Sequence, residues 1–164
     1  EKLSTILNRF GPFINMKEIF EFMFLIKDEE LYFELMQVCD FILSKKLGGI
    51  GILKLKINSI IKLRLSKYID PINEDFLKLT NNDLDSYIFL GQIYSQNNYY
   101  EVSLNLIKDG IKKFPKSKIL KDIVFLTTKG SLFNNKSDKL KLIKNSFEIL
   151  GFDEDIFDPK VPKK

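Results

Sequence analysis

Between Leu84 and Ser117 the chain puts small residues where two packed helices have to touch, and this constrains the fold more than any other feature. Gly91 lies midway along one apolar-periodic segment. Ser103 and Gly110 lie seven residues apart on the next, Asn97-Asn98 separates the two, and Pro115 ends the second. With no bulky side chain at the crossing, two helices can approach toward the short end of the usual ~8–10 Å interaxial range. Leu90, Tyr94, Tyr100, Ile107 and Ile111 then supply volume around the contact. The spacing predicts an antiparallel helix–turn–helix pair of about 34 residues, the size of one solenoid unit.

These residues resemble the tetratricopeptide repeat, whose pattern runs roughly Trp-x2-Leu-Gly-x2-Tyr, then Ala-x3-Phe-x2-Ala, then Pro. With Leu84 as the first position, Tyr87 takes the Trp place, and Leu90, Gly91 and Tyr94 match the Leu-Gly and Tyr elements. Ser103 stands for the first Ala, Ile107 for the Phe, Gly110 for the second Ala, and Pro115 for the Pro. A generic helical hairpin is the alternative, since any such pair wants small residues at its crossing. The resemblance implies an all-α fold, antiparallel helix pairs stacked as a short tetratricopeptide-like α-solenoid. It also implies a concave groove, lined by the first helix of each pair, that binds a partner protein's peptide or helix. Carried onto this chain, the groove positions are Asp85, Ile88, Gln92, Ser95 and Gln96, with Lys54 and Asn58 in phase upstream and Asp122, Leu126 and Lys129 downstream. The set is mixed and mostly uncharged. It lacks the Lys/Asn cluster by which some relatives clamp a partner's C-terminal carboxylate, and suits an amphipathic helix or an extended segment better.

Two units of 34 upstream, residues 16–49 repeat the phase. Ile19, Phe22, Met23 and Ile26 form a stripe before the polar break at 27–30, and Leu35, Cys39 and Ile42 stand where Ser103, Ile107 and Gly110 stand later. Downstream, 118–131 and 137–150 read as a divergent or capping pair, with register drifting by about three residues. Its last helix shows Leu140, Ile143, Phe147 and Leu150 on one face, and Ser137-Asp138 as its N-terminal cap. The expected organisation is a helix end and loop over 1–15, a repeat domain over 16–150 and a tail or linker over 151–164.

Residues 50–69 are ambiguous. Lys54, Lys56, Asn58, Lys62, Arg64 and Ser66 are even-numbered and Leu53, Leu55, Ile57, Ile61, Leu63 and Leu65 odd, which is a strand pattern. A lone hairpin is marginal in water, and no other segment supplies a third strand. Leu53, Ile57, Ile60, Ile61 and Tyr68 also make a helical stripe, so a helix is the expectation, broken at Asp70-Pro71 and followed by a short helix over 72–79 with Pro71 at its first position.

A chain of 164 residues with 45% apolar side chains is long enough to bury a core. No run of 18 or more uncharged apolar residues exists, so no membrane span is expected. The chain starts at Glu1 without an initiator methionine, so an upstream piece is expected. Cys39 is a lone cysteine on an apolar face and reads as a small buried hydrophobe. The absence of histidine removes the commonest general base and metal ligand. The glycines of 47–51 lack the lysine of a phosphate loop and read as a helix stop and turn. The acidic clusters at 28–30 and 153–155 lack calcium-loop spacing. The expectation is a protein that is not an enzyme and takes no cofactor or metal.

Charge supplies a rival reading. Net charge is +4, and within 108–144 eleven lysines face three aspartates. Lys108, Lys112, Lys113, Lys116, Lys118, Lys121, Lys139, Lys141 and Lys144 form a candidate basic patch for RNA or an anionic surface, with Lys129 and Lys136 nearby. Only Arg9 and Arg64 are arginine, and base-reading proteins favour arginine, so lysine as a default surface residue explains the run equally. A third reading is a helical bundle with a purely structural role. The acidic and aromatic tail after Gly151 is expected to fold back on the last helix, to link to a further domain, or to dock elsewhere.

Overall fold

The computed structural model describes residue 5, residues 15–134 and residues 139–152, and every described element is helical. The elements are α1 (Met16–Asp28), α2 (Tyr32–Ser44), α3 (Ile50–Lys62), a 3-10 turn (Ser66–Tyr68), α4 (Ile69–Leu79), α5 (Leu84–Gln96), α6 (Tyr100–Lys113), α7 (Lys118–Asn134) and α8 (Lys139–Leu150). The chain divides into two compact units at Asn81/Asn82, and the expected repeat domain, 16–150, spans both.

The first helices of successive pairs begin at Met16, Ile50, Leu84 and Lys118, each 34 residues after the last. The turns inside the first three pairs keep the same interval, with left-handed residues at Glu30 (φ 57°), Arg64 (φ 56°) and Asn98 (φ 67°). Each turn closes the same way. The N–H after the left-handed residue donates back five residues, Leu31 to Ile26 O, Leu65 to Ile60 O and Tyr99 to Tyr94 O, which occupies carbonyls the helix end leaves open. Five positions at this interval are buried in all three pairs. They are Met23, Ile57 and Gly91; Ile26, Ile60 and Tyr94; Leu35, Ile69 and Ser103; Cys39, Asn73 and Ile107; and Ile42, Phe76 and Gly110. The expected copy at 16–49 therefore has its helices and its buried face where the phase put them, although Phe22 of its stripe is 45% exposed.

In the first unit, α1 opens on a capping box: the Asn15 side chain accepts from the Glu18 N–H, and the Glu18 carboxylate accepts from the Asn15 N–H. Met23, Ile26, Leu35, Val38, Cys39, Ile42, Ile52 and Leu55 make one core from α1, α2 and α3. The segment with two-residue alternation is the helix α3, and it ends at Lys62 instead of running to residue 69. It packs against both α2 and α4, so seven of its residues are buried and no single stripe describes it. Tyr68, placed on the expected stripe, is 45% exposed in the 3-10 turn. Asp70-Pro71 does not break the chain. The helix α4 starts at Ile69 with Pro71 in its first turn, where a missing N–H forfeits no intrahelical bond.

Cys39 is fully buried, and its thiol is pushed up to about 12 from an ordinary 9.0, chiefly by burial and then by the Asp40 charge, with Lys56 opposing. The folded value is raised, so the stability it reflects is intact below pH about 9 and lost as pH rises toward 12. Cys39 in the native protein is expected to resist an aromatic disulfide reagent at pH 8 and to react at once in urea. Rapid native labelling would contradict the burial.

The second unit shows why the small residues matter. Contacts recede from the turn in step, Tyr94 with Tyr99, Gly91 with Ile107 and Tyr87 with Gly110, the signature of an antiparallel pair. A Cβ on Gly91 would overlap Ile107 Cδ1 and lie 2.8 Å from its Cγ1, and one on Gly110 would lie 3.0 Å from Tyr87 Cγ. Ser103 Oγ donates to the Gly91 carbonyl oxygen at 2.7 Å, a bond only a close crossing permits. Tyr100, expected near that crossing, packs instead against Gly130 of α7.

Helix α7 begins in register with the earlier first helices but runs to Asn134, so the drift of the last pair arises there. The α8 face turned inward carries Ser146 and Ile149, with Leu142 half-buried beside them. That differs from the expected Leu140, Ile143, Phe147 and Leu150, and Leu140 is 56% exposed. Ser146 Oγ meets Thr128 Oγ1 at 2.6 Å, a polar contact that joins this face of α8 to α7. Gly151 (φ 78°) ends α8, and the Phe152 ring folds back to 5.2 Å from Phe147. The expected cap at Ser137-Asp138 and the rest of the tail lie outside the described residues.

Candidate functional site

The ten expected groove positions fall in both units. Lys54, exposed, and Asn58, half-buried, belong to α3 in the first unit. The other eight belong to α5 and α7, which pack side by side in the second unit. A buried polar seam holds these helices together. Thr127 Oγ1 donates to Ser95 Oγ at 2.9 Å and also lies 3.5 Å from Ser103 Oγ, which is bonded to Gly91. Such bonds are worth about 1 kcal/mol each when buried and met. Ser95 is therefore engaged in joining the helices.

Around this seam the remaining positions face outward. Asp85, Gln92 and Gln96 on α5 are exposed and Ile88 is half-buried; Asp122, Leu126 and Lys129 on α7 are exposed. Leu126 is 66% exposed. The structure adds two residues that the projected positions missed. Ile119 (51% exposed) and Phe133 (81%) lie seven residues on either side of Leu126. With Asp122 and Lys129 between them, the spacing is 3-4-3-4, so all five share one face of α7. That signal was present in the sequence as a second apolar stripe, adjoining the one carrying Leu120, Ile123, Val124 and Thr127.

The nine lysines of the candidate basic patch are not brought into one cluster. Lys141 and Lys144 line a cavity that the N-terminal turn of α6 also borders. Lys112 and Lys113 end the same helix, roughly 16 Å further along its axis at 1.5 Å per residue. Lys116 follows in the link and Lys118 opens α7, Lys139 is exposed on α8, and Lys108 and Lys121 are half-buried. Lys113 Nζ lies 5.9 Å from the centre of the Phe114 ring.

Among the described residues no group of three acidic or cysteine side chains is placed to hold a metal ion, and no helix is long and apolar enough to cross a membrane. Compared with protein-family models, with curated protein sequences and with solved structures, the chain gives no match.

Proposed function

We propose that this chain is a tetratricopeptide-like repeat protein acting as a non-enzymatic assembly scaffold or adaptor. Its partner is an amphipathic helix of another protein, seated along α5 and α7. The observation that carries the reading is the interval of 34 residues, kept by four helix starts and by five buried positions in three pairs. Repeats of that length bury their faces against one another and leave the first helices' outer sides for a guest. The exposed Ile119, Leu126 and Phe133 repeat every seven residues, which matches the spacing by which a partner helix presents its own apolar seam. The flanking Asp85, Gln92, Gln96, Asp122 and Lys129 supply the polar rim.

The test begins with affinity capture from the native cell extract, followed by titration of the captured protein. A variant carrying Gln92→Ala, Gln96→Ala and Leu126→Asp is expected to bind at least roughly tenfold more weakly, since a central apolar anchor is worth 2 kcal/mol or more. Its helix signal by circular dichroism should be unchanged, because all three side chains are exposed. Affinity should fall little between low and moderate salt. A partner that binds the triple variant as well as wild type removes this assignment. So does a nucleic acid as the captured species, with binding that collapses as salt rises.

A further inference from the structure

One turn of α7 exceeds what the repeat requires. The first helices of the three earlier pairs end at Asp28, Lys62 and Gln96, again 34 residues apart, so in phase α7 would end at Gly130. It runs on to Asn134. The added turn is braced from α6. Asn134 Nδ2 donates to Tyr100 Oη at 2.8 Å, and that hydroxyl donates to Asn98 Oδ1, also at 2.8 Å. The large apolar side chain this turn carries is Phe133, at 81% the most exposed of its kind among the described residues. A braced turn that holds an aromatic ring in water marks a contact surface.

That surface is complementary to itself. Leu126 stands midway between Ile119 and Phe133, about 10.5 Å from each along the axis at 1.5 Å per residue. Asp122 lies about 6 Å to one side of Leu126 and Lys129 about 4.5 Å to the other. All five are exposed. Turned about a two-fold axis through Leu126, the face meets its own copy with Leu126 on Leu126 and Ile119 on Phe133. Asp122 then comes within about 1.5 Å of Lys129 in axial position, and two ion pairs close. A parallel arrangement would set Asp122 against Asp122 and Lys129 against Lys129, which like charges oppose. We propose that the α7 face pairs with the same face of a second copy of this chain, antiparallel and centred on Leu126. A contact built on one helix face belongs with the small, transient interfaces below about 1,200 Å². Self-pairing goes beyond the adaptor reading and needs no outside protein. One consequence does rest on that reading: a paired chain has α7 closed to a partner helix.

The test is sedimentation of the whole chain alone, from roughly 10 μM to 1 mM, which brackets the weak affinity such an interface gives. The mean mass is expected to rise from one chain toward two. Leu126→Asp should weaken pairing at least roughly tenfold, as loss of a central anchor does. Asp122→Lys and Lys129→Asp, each alone, should weaken it about three- to tenfold, since each turns two attractions into repulsions. Both reversals in one chain should return it to within about twofold of wild type, because the pairs re-form with their signs exchanged. Every substituted side chain is exposed, so the helix signal by circular dichroism should hold in all four. Crosslinking with oxidised glutathione reads the register, and the buried Cys39 does not compete. Leu126→Cys should join to itself, and Ile119→Cys should join Phe133→Cys in a mixture. Ile119→Cys alone should not, its two copies lying about 21 Å apart against the ~7 Å a disulfide spans. A single-chain mass up to 1 mM, wild-type pairing in Leu126→Asp, a double reversal no better than either single one, or self-crosslinking of Ile119→Cys would each overturn the proposal. The adaptor reading is judged apart from these, by capture of an outside protein.

Discussion

Gly91→Leu is expected to destabilise the second unit by more than ~3 kcal/mol, the upper range for overpacking a well-filled core. Even a Cβ there overlaps Ile107 Cδ1 and lies 3.5 Å from Ile123 Cγ2, so α5 loses room against both α6 and α7. Ile107 is fully buried and cannot swing into solvent. Separating the helices would also strip the Gly91 carbonyl of its bond from Ser103, whose hydroxyl has no exposure to water in exchange. Urea unfolding followed by circular dichroism measures the loss. The double variant Gly91→Leu with Ile107→Ala should recover about 1–3 kcal/mol relative to additive expectation, because the new side chain enters the space the old one leaves. Strict additivity would show that the crossing is not what glycine serves.

Tyr94→Ala should cost the same unit about 3–5 kcal/mol, as for other large aromatics removed from cores. Tyr94 heads the fully buried side chains by volume, and its ring meets Tyr99 edge-on at 6.1 Å. Its carbonyl also receives the Tyr99 N–H at 2.9 Å, so the ring and the backbone pin one turn from two directions. Tyr94→Phe keeps the ring and should lose under about 1.5 kcal/mol, the worth of one hydroxyl bond. An alanine variant within about 1 kcal/mol of wild type by the same urea titration would mean the core collapses onto the gap, against the packing seen here.

The helices at 16–28, 84–96 and 100–113 were legible because their buried residues recur at helical spacing. At 50–62 a helix was expected against a two-residue alternation, because burial against two neighbours puts apolar residues on most of its circumference and masks the helical period. Its end was hidden too. Glu30, Lys46 and Arg64 take the left-handed position that glycine or asparagine usually fills, so composition gave no stop signal. In the candidate groove, Gln92, Gln96 and Leu126 were placed by carrying the resembled family's pattern onto this chain, and they are exposed. Ser95 also fits that phase, yet its hydroxyl is taken by Thr127, 32 residues away.

Within one strand of backbone, then, the amino-acid order determined where helices form, how they pair and where glycine must lie, because those follow from a 3.6-residue turn and from side-chain volume. Which surfaces stay open was decided by the tertiary structure. Leu126 and Ile107 are equally apolar, and only the neighbour that covers one and not the other leaves the first exposed and makes the second a core.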